Sequence, residues 1–149
     1  MTKEYGGFFF ILTTSYHIQA AMYHLGIDYG HKKVGLAISD ESGRFAFPYG
    51  VLPNTVKLSA EIRAICEKEG IEKIVIGESL NLSGEPNPIQ KKIKQFRAEL
   101  AEVVGLPVAS EKEFFTSWEA KRLIDEEQKD PLTDARAAAL ILRSYLDKS

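Results

Sequence analysis

The chain has 149 residues, with 19 basic against 21 acidic side chains and a formal charge of -2. That near-balance excludes a generic polyanion binder, so any nucleic-acid contact has to be a local patch on a neutral to acidic body. A lone cysteine, Cys66, excludes an intrachain disulfide and fits a reducing compartment, and the length suits one domain whose core needs no structural metal.

Residues 1–21, MTKEYGGFFFILTTSYHIQAA, differ in character from the rest of the chain. The apolar run FFFIL is far too short to span a bilayer, which takes about 20 residues. Lys3 and Glu4 beside it cancel, although Ala20 and Ala21 sit where a signal peptide would be cleaved. Met22 marks the better boundary. The expectation is an N-terminal extension or misassigned start over 1–21, poorly ordered or loosely docked, and a single domain over 22–149.

From Tyr23 the pattern becomes regular. YHLGID and KVGLAIS are short apolar runs on either side of a basic turn with Gly30, which reads as a β-hairpin. DESG is a polar turn, and RFAFPYGVL reads as a third antiparallel strand in which Pro48 calls for an edge or a bulge. Past Pro53 the period turns helical, with Leu58, Ile62 and Ile65 on one face and Gly70 as the stop. EKIVIGE is then a short buried strand. EPNPIQKKIKQFRAELAEVVG opens on prolines suited to a helix N-terminus and carries Ile89, Ile93, Phe96, Leu100, Val103 and Val104 on one face as far as Gly105. LPVAS is a fifth strand. TSWEAKRLIDEE opens with a capping box from Thr116 to Glu119, and TDARAAALILRSYLD is an alanine-rich last helix capped by Thr133. The order βββαβαβα implies an α/β fold, one five-stranded mixed sheet flanked by helices.

The acids fall informatively on this map. Asp28 ends the first strand, Glu78 ends the fourth, Glu113 follows the fifth, and Asp134 lies in the first turn of the last helix. Strand ends of an open sheet share one edge, where such sheets bind ligands. Converging carboxylates repel, so the arrangement calls for compensating protons or cations. Hard divalent ions, Mg2+ or Mn2+, take oxygen ligands, and a pair about 4 Å apart activates water and stabilises the leaving oxygen of a phosphodiester. Each acid also has a plainer role open to it: Asp28 as a cap on the GHKKVG turn, Glu78 and Glu113 as solvated loop acids, Asp134 as a charge suited to a helix N-terminus.

At these residues the sequence resembles the YqgF family, also called RuvX, of pre-16S rRNA nucleases and Holliday junction resolvase-like proteins with an RNase H-like fold. The likeness runs from Met22 to about Lys148. It is carried by LGIDYGHKKVGLAISD, by IVIG with the following LN and glycine, by EFFTSWEA and by DARAAALILRSYL. The resemblance implies an RNase H-like sheet and a metal site at Asp28, Glu113 and Asp134. It also implies a cytoplasmic location and trimming of the 5′ end of precursor 16S rRNA. The chain departs from the family's Asp-Glu-Arg triplet, having Lys112, Glu113 and Phe114, and has Glu78 and Ser79 where the family has an apolar residue and proline. Glu78 resembles the acid that the broader RNase H and RuvC pattern places at that strand end.

For the phosphate backbone, His31, Lys32 and Lys33 lie in the hairpin turn beside Asp28. Gly30 and Gly35 there permit close backbone approach, and Lys112 is a further phosphate contact. Lys91, Lys92, Lys94 and Arg97 form a basic cluster, which serves equally as an ordinary polar helix face. Trp118 suits stacking on a base or core packing, and Phe114 and Phe115 suit packing. The expected function is a divalent-metal-dependent nuclease acting on precursor rRNA, with Asp28 bridging the ions and Glu78 or Glu113 together with Asp134 completing the metal shell, as a monomer or homodimer. The alternatives are an inactive nucleic-acid-binding module and a Holliday junction resolvase-like DNA nuclease. GIDYGHKKVGLA also resembles the phosphate hairpin of the actin, Hsp70 and sugar kinase superfamily, but no second Asp-Gly hairpin accompanies it.

Overall fold

Alternation along the first strand sorts its side chains onto two faces, and the rest of the architecture follows from that split. In the computed structural model the described residues are 21–79, 89–113 and 131–148. The elements are β1 (Tyr23–Tyr29), β2 (Lys33–Ser39), β3 (Ala46–Pro53), α1 (Leu58–Glu69), β4 (Ile71–Ser79), α2 (Gln90–Val104), β5 (Val108–Glu113) and α3 (Thr133–Asp147). The strands form one five-stranded sheet in the order β3-β2-β1-β4-β5. β1 pairs antiparallel with β2 and parallel with β4, so the sheet is mixed as expected.

On one face Leu25, Ile27, Val34, Leu36, Ile74 and Ile76 pack against Leu58 and Ile62 of α1 and Ile93, Phe96 and Leu100 of α2. The Ser59 hydroxyl donates to Glu99 Oε2 at 2.6 Å and ties the two helices together. On the other face Ala37 and Val75 pack against Ala138, Ile141, Leu142 and Leu146 of α3. α3 lies so close that a Cβ on Gly26 would stand 2.7 Å from Leu142 Cβ. Fully burying one such leucine or isoleucine contributes roughly 1.5–3 kcal/mol, so the layer with Ile141 and Leu142 fixes α3 on its face of the sheet.

Pro48 satisfies both of its alternatives. β3 is an edge strand, and its register steps from Gly50 to Pro48 between Leu36 and Ala37, leaving Tyr49 bulged. The Tyr49 hydroxyl donates to Glu69 Oε2 of α1 at 2.7 Å. α1 and α2 stop at Gly70 and Gly105, both left-handed, with φ of 69° and 73°.

Two local expectations are corrected. β5 runs to Glu113 rather than ending at Ser110, because β4 continues alongside it and pairs Gly77 with Glu111 and Ser79 with Glu113. Glu113 is therefore the last residue of β5 and does not follow it. Thr133 does not cap α3: it is the first helical residue and 6 % exposed, and the capping position is Leu132, with no side-chain cap bond. Residues 1–20, nearly all of the expected extension, lie outside the described residues, as do Pro86, Pro88, Phe114, Phe115, Trp118 and the capping box at Thr116 and Glu119. Among the described residues no helix is long and apolar enough to cross a membrane.

Candidate metal and nucleic-acid site

β1 delivers Asp28 to the face that α3 covers, since Leu25 and Ile27 belong to the opposite core and Gly26 meets α3. Across the hairpin Asp28 pairs with Gly35. A Cβ at Gly35 would lie 1.9 Å from the Asp134 carbonyl oxygen and 2.9 Å from the Ala135 nitrogen, so the first turn of α3 rests on the bare backbone of β2. Residues paired across antiparallel strands have Cβ positions about 4.5–5.5 Å apart. The backbone of Asp134 is thus seated on the cross-strand neighbour of Asp28, which brings the first and last of the sequence candidates to the same end of the sheet. Both are half-buried. Asp134 stands in the first turn of α3, where a helix N-terminus favours a negative charge by about 0.3–1 kcal/mol.

The same register explains why Gly35 is needed. Its missing side chain makes room for α3, not for a phosphate. At Gly30 a Cβ would meet the Lys33 carbonyl at 2.5 Å, so that space too is used by the turn itself. Both glycines serve contacts within the fold.

Glu78 is placed differently from the other acids. It follows Ile76 by two on the face of α1 and α2, where it pairs in register with Lys112. Ser110, two before Lys112, accepts a hydrogen bond from the Arg97 guanidinium of α2, which confirms the face. Glu78 and Lys112 therefore stand on the opposite side of the sheet from Asp28, and Arg97 leaves the basic cluster of α2 for β5. Glu113 pairs with Ser79 on the last rung of the β4–β5 ladder, at the same edge; its side chain lies outside the described residues. Among the described residues no group of three or more His, Cys, Asp and Glu gathers to hold a metal.

Sequence reasoning passed over Glu111. Through Gly77 it lies level with Asp28 across the sheet, 4 % exposed. Its Oε2 accepts from the Ser144 hydroxyl at 2.7 Å and from Lys148 Nζ at 2.5 Å, so it anchors the far end of the helix that presents Asp134. Its only signal was alternation with Ala109 in a strand read as ending too early.

His31, Lys32 and Lys33 are exposed at the hairpin turn. The turn is strapped to the end of β3: Asn54 Nδ2 donates to the Gly30 carbonyl at 2.7 Å, and the Asn54 amide donates to the Lys32 carbonyl at 2.9 Å. A rigid basic turn therefore sits beside the two aspartates. Hard oxygen donors beside a cationic rim suit a divalent ion and a phosphodiester.

The family described as "RuvX: Holliday junction resolvase" matches residues 22–148. A relative from Maridesulfovibrio salexigens, named "Putative pre-16S rRNA nuclease", is 38% identical over 133 residues, covering 84% of this chain and 98% of its own. Among solved structures, Thermus thermophilus RuvC superposes with a TM-score of 0.56 at 16% identity, over 85% of this chain and 95% of that one. The fowlpox virus Holliday junction resolvase gives 0.54 at 15% identity, over 86% and 100%. The fold is therefore that of the RuvC-like, RNase H-type resolvases.

Proposed function

We propose that this chain, which belongs to the RuvX family, is a nuclease that hydrolyses phosphodiester bonds with a divalent ion, Mg2+ or Mn2+, held by Asp28, Glu113 and Asp134. The observation that carries this reading is the seating of the Asp134 turn on Gly35, the cross-strand partner of Asp28. The donor set is all oxygen, which fits a hard cation. Such an ion supplies the positive charge that activates water and stabilises the leaving oxygen.

The chain's own residues do the rest. Asp28 and Asp134 hold two carboxylates at fixed positions on rigid elements, and Glu113 adds a third from the end of β5. His31, Lys32 and Lys33 draw the phosphate backbone to that edge. Glu78 is left out of the ligand set, and Lys112 out of the phosphate contacts, because strand parity puts both on the other face. The substrate is a precursor 16S ribosomal RNA, a choice supported by the names its relatives carry; trimming at the 5′ end and a cytoplasmic location rest on the family resemblance alone.

The test is cleavage of a labelled single-stranded RNA carrying a ribosomal 5′ leader, with a four-way DNA junction in parallel, in Mg2+ or Mn2+. Wild type is expected to cut the RNA only with metal, and Asp28→Asn to lose about a hundredfold or more. Binding without cutting by both proteins would leave a nucleic-acid-binding module. Symmetric cutting of the junction by a dimer would move the substrate to DNA.

A further inference from the structure

A groove of about 590 Å³ opens at the Asp28 end of the sheet but on its other face, between the β1–β2 turn, the β3–α1 turn and α2. Its floor is aromatic. Tyr29 follows Asp28 directly, their Cα atoms about 3.8 Å apart and their side chains on opposite faces. The Tyr29 ring leans on Phe96, with centroids 4.8 Å apart and planes tilted by 33°. Phe96 is 6 % exposed and Tyr29 half-buried, so Tyr29 is the ring an incoming molecule meets.

The walls are polar and mixed. Lys92 is an exposed cation on the rim, His31 an exposed imidazole beside it, and Gln95 offers an exposed amide. Asn54 is fixed by its donation to Gly30, which leaves its carbonyl oxygen as an acceptor. Glu99, the acid among the described lining residues, already accepts from Ser59.

We infer that this groove takes one unpaired nucleobase of the substrate strand, next to the phosphate held at Asp28. The inference rests on the nuclease reading above and adds to it a subsite for single-stranded RNA. An aromatic face stacks on any base, amide groups hydrogen-bond base edges, and a cationic rim meets the flanking phosphate. A paired duplex keeps its base faces stacked within the helix, so only a single strand, bulge or end presents one. Because Asp28 and Tyr29 are consecutive, a strand rounding the end of β1 places a phosphate on one face of the sheet and a base on the other.

The experiment measures binding of a short single-stranded RNA to the full chain without divalent metal, so that nothing is cut. A set of the same RNA carries one abasic residue at each position in turn. Wild type is expected to lose about tenfold in affinity when one particular base is missing. Gln95→Trp, which fills the groove from an exposed position, is expected to bind intact RNA about tenfold more weakly and to ignore the missing base there. Tyr29→Leu keeps apolar bulk while removing the stacking face, and is expected to give the same pattern.

Equal loss in all three proteins would put the base elsewhere and overturn the proposal. So would RNA affinity indifferent to Gln95→Trp and Tyr29→Leu, the result expected if the groove instead receives a side chain of a partner protein. Cleavage is scored separately through Asp28→Asn. Failure of that assay with the abasic pattern intact would remove the nuclease reading and leave the base site; the reverse would remove the groove alone.

Discussion

Gly35 has no side chain, and the carbonyl of Asp134 occupies the space one would take. Gly35→Ala must therefore push α3 off β2 at its first turn. The expected cost is about 1–3 kcal/mol in urea unfolding, with a loss of RNA cleavage larger than the unfolded fraction explains, because Asp134 moves away from Asp28. A variant with wild-type cleavage would separate the two aspartates functionally. His24 gives the pH dependence. It is 8 % exposed, its amide donates to Ser39 Oγ at 2.8 Å, and its ring Nδ1–H donates to the Met22 carbonyl at 3.2 Å. Burial above all, with help from the Lys73 charge, holds its pKa below the ordinary 6.5, against the opposite pulls of the Met22 carbonyl and Glu72. The unfolded chain then takes up the proton more readily. Its contribution is full above 6.5 and is lost as the pH falls through the lowered folded value. Thermal melts between about pH 5 and about pH 8 should show that slope, and His24→Gln should flatten it.

α3 is held at both ends by different means, packed onto glycine at its start and tied by charge at its finish. Lys148→Met leaves Glu111, whose side chain is 5 % exposed, with the Ser144 hydroxyl alone among the described residues. The expected cost is about 1 kcal/mol, small because Lys148 is 66% exposed, and it should shrink when Glu111→Gln removes the charge as well. A double-mutant cycle by urea denaturation measures that coupling, and additive losses would mean the pair does not act together. The elements show where a sequence can be read and where it stops. The hairpin, the bulged edge strand and both glycine helix stops are legible because alternation, Pro48, Gly70 and Gly105 act locally. The end of β5 is not: SEKE looks like a polar loop, and only the neighbouring β4 and the overlying α3 make a buried strand residue of Glu111. The same holds for the site. Asp28 and Asp134 were visible as strand-end and helix-start residues, but the face of Glu78 was fixed by the register of β4, and the purpose of Gly35 by a residue far along the chain.

For the molecule as a whole, Cys66 is a reporter of integrity. It lies 4 % exposed in the core between the sheet and α1, and burial pushes its thiol up to about 11, with the Glu67 charge adding to the shift. A thiol reagent near neutral pH should label it only through opening of the domain, so the rate followed by mass spectrometry should rise steeply as denaturant approaches the unfolding midpoint. Fast labelling in native buffer would mean that α1 detaches independently of the rest. The order of the two aspartates along the chain has a consequence of another kind. Asp28 lies on the first strand and Asp134 on the last helix, so during synthesis one carboxylate emerges early and waits, while its counterpart follows only after every other element has been made. Until α3 has closed over the sheet, a nascent chain carries half of the pair. The pair of aspartates is therefore a property of the folded domain, and no stretch of chain made before α3 carries it.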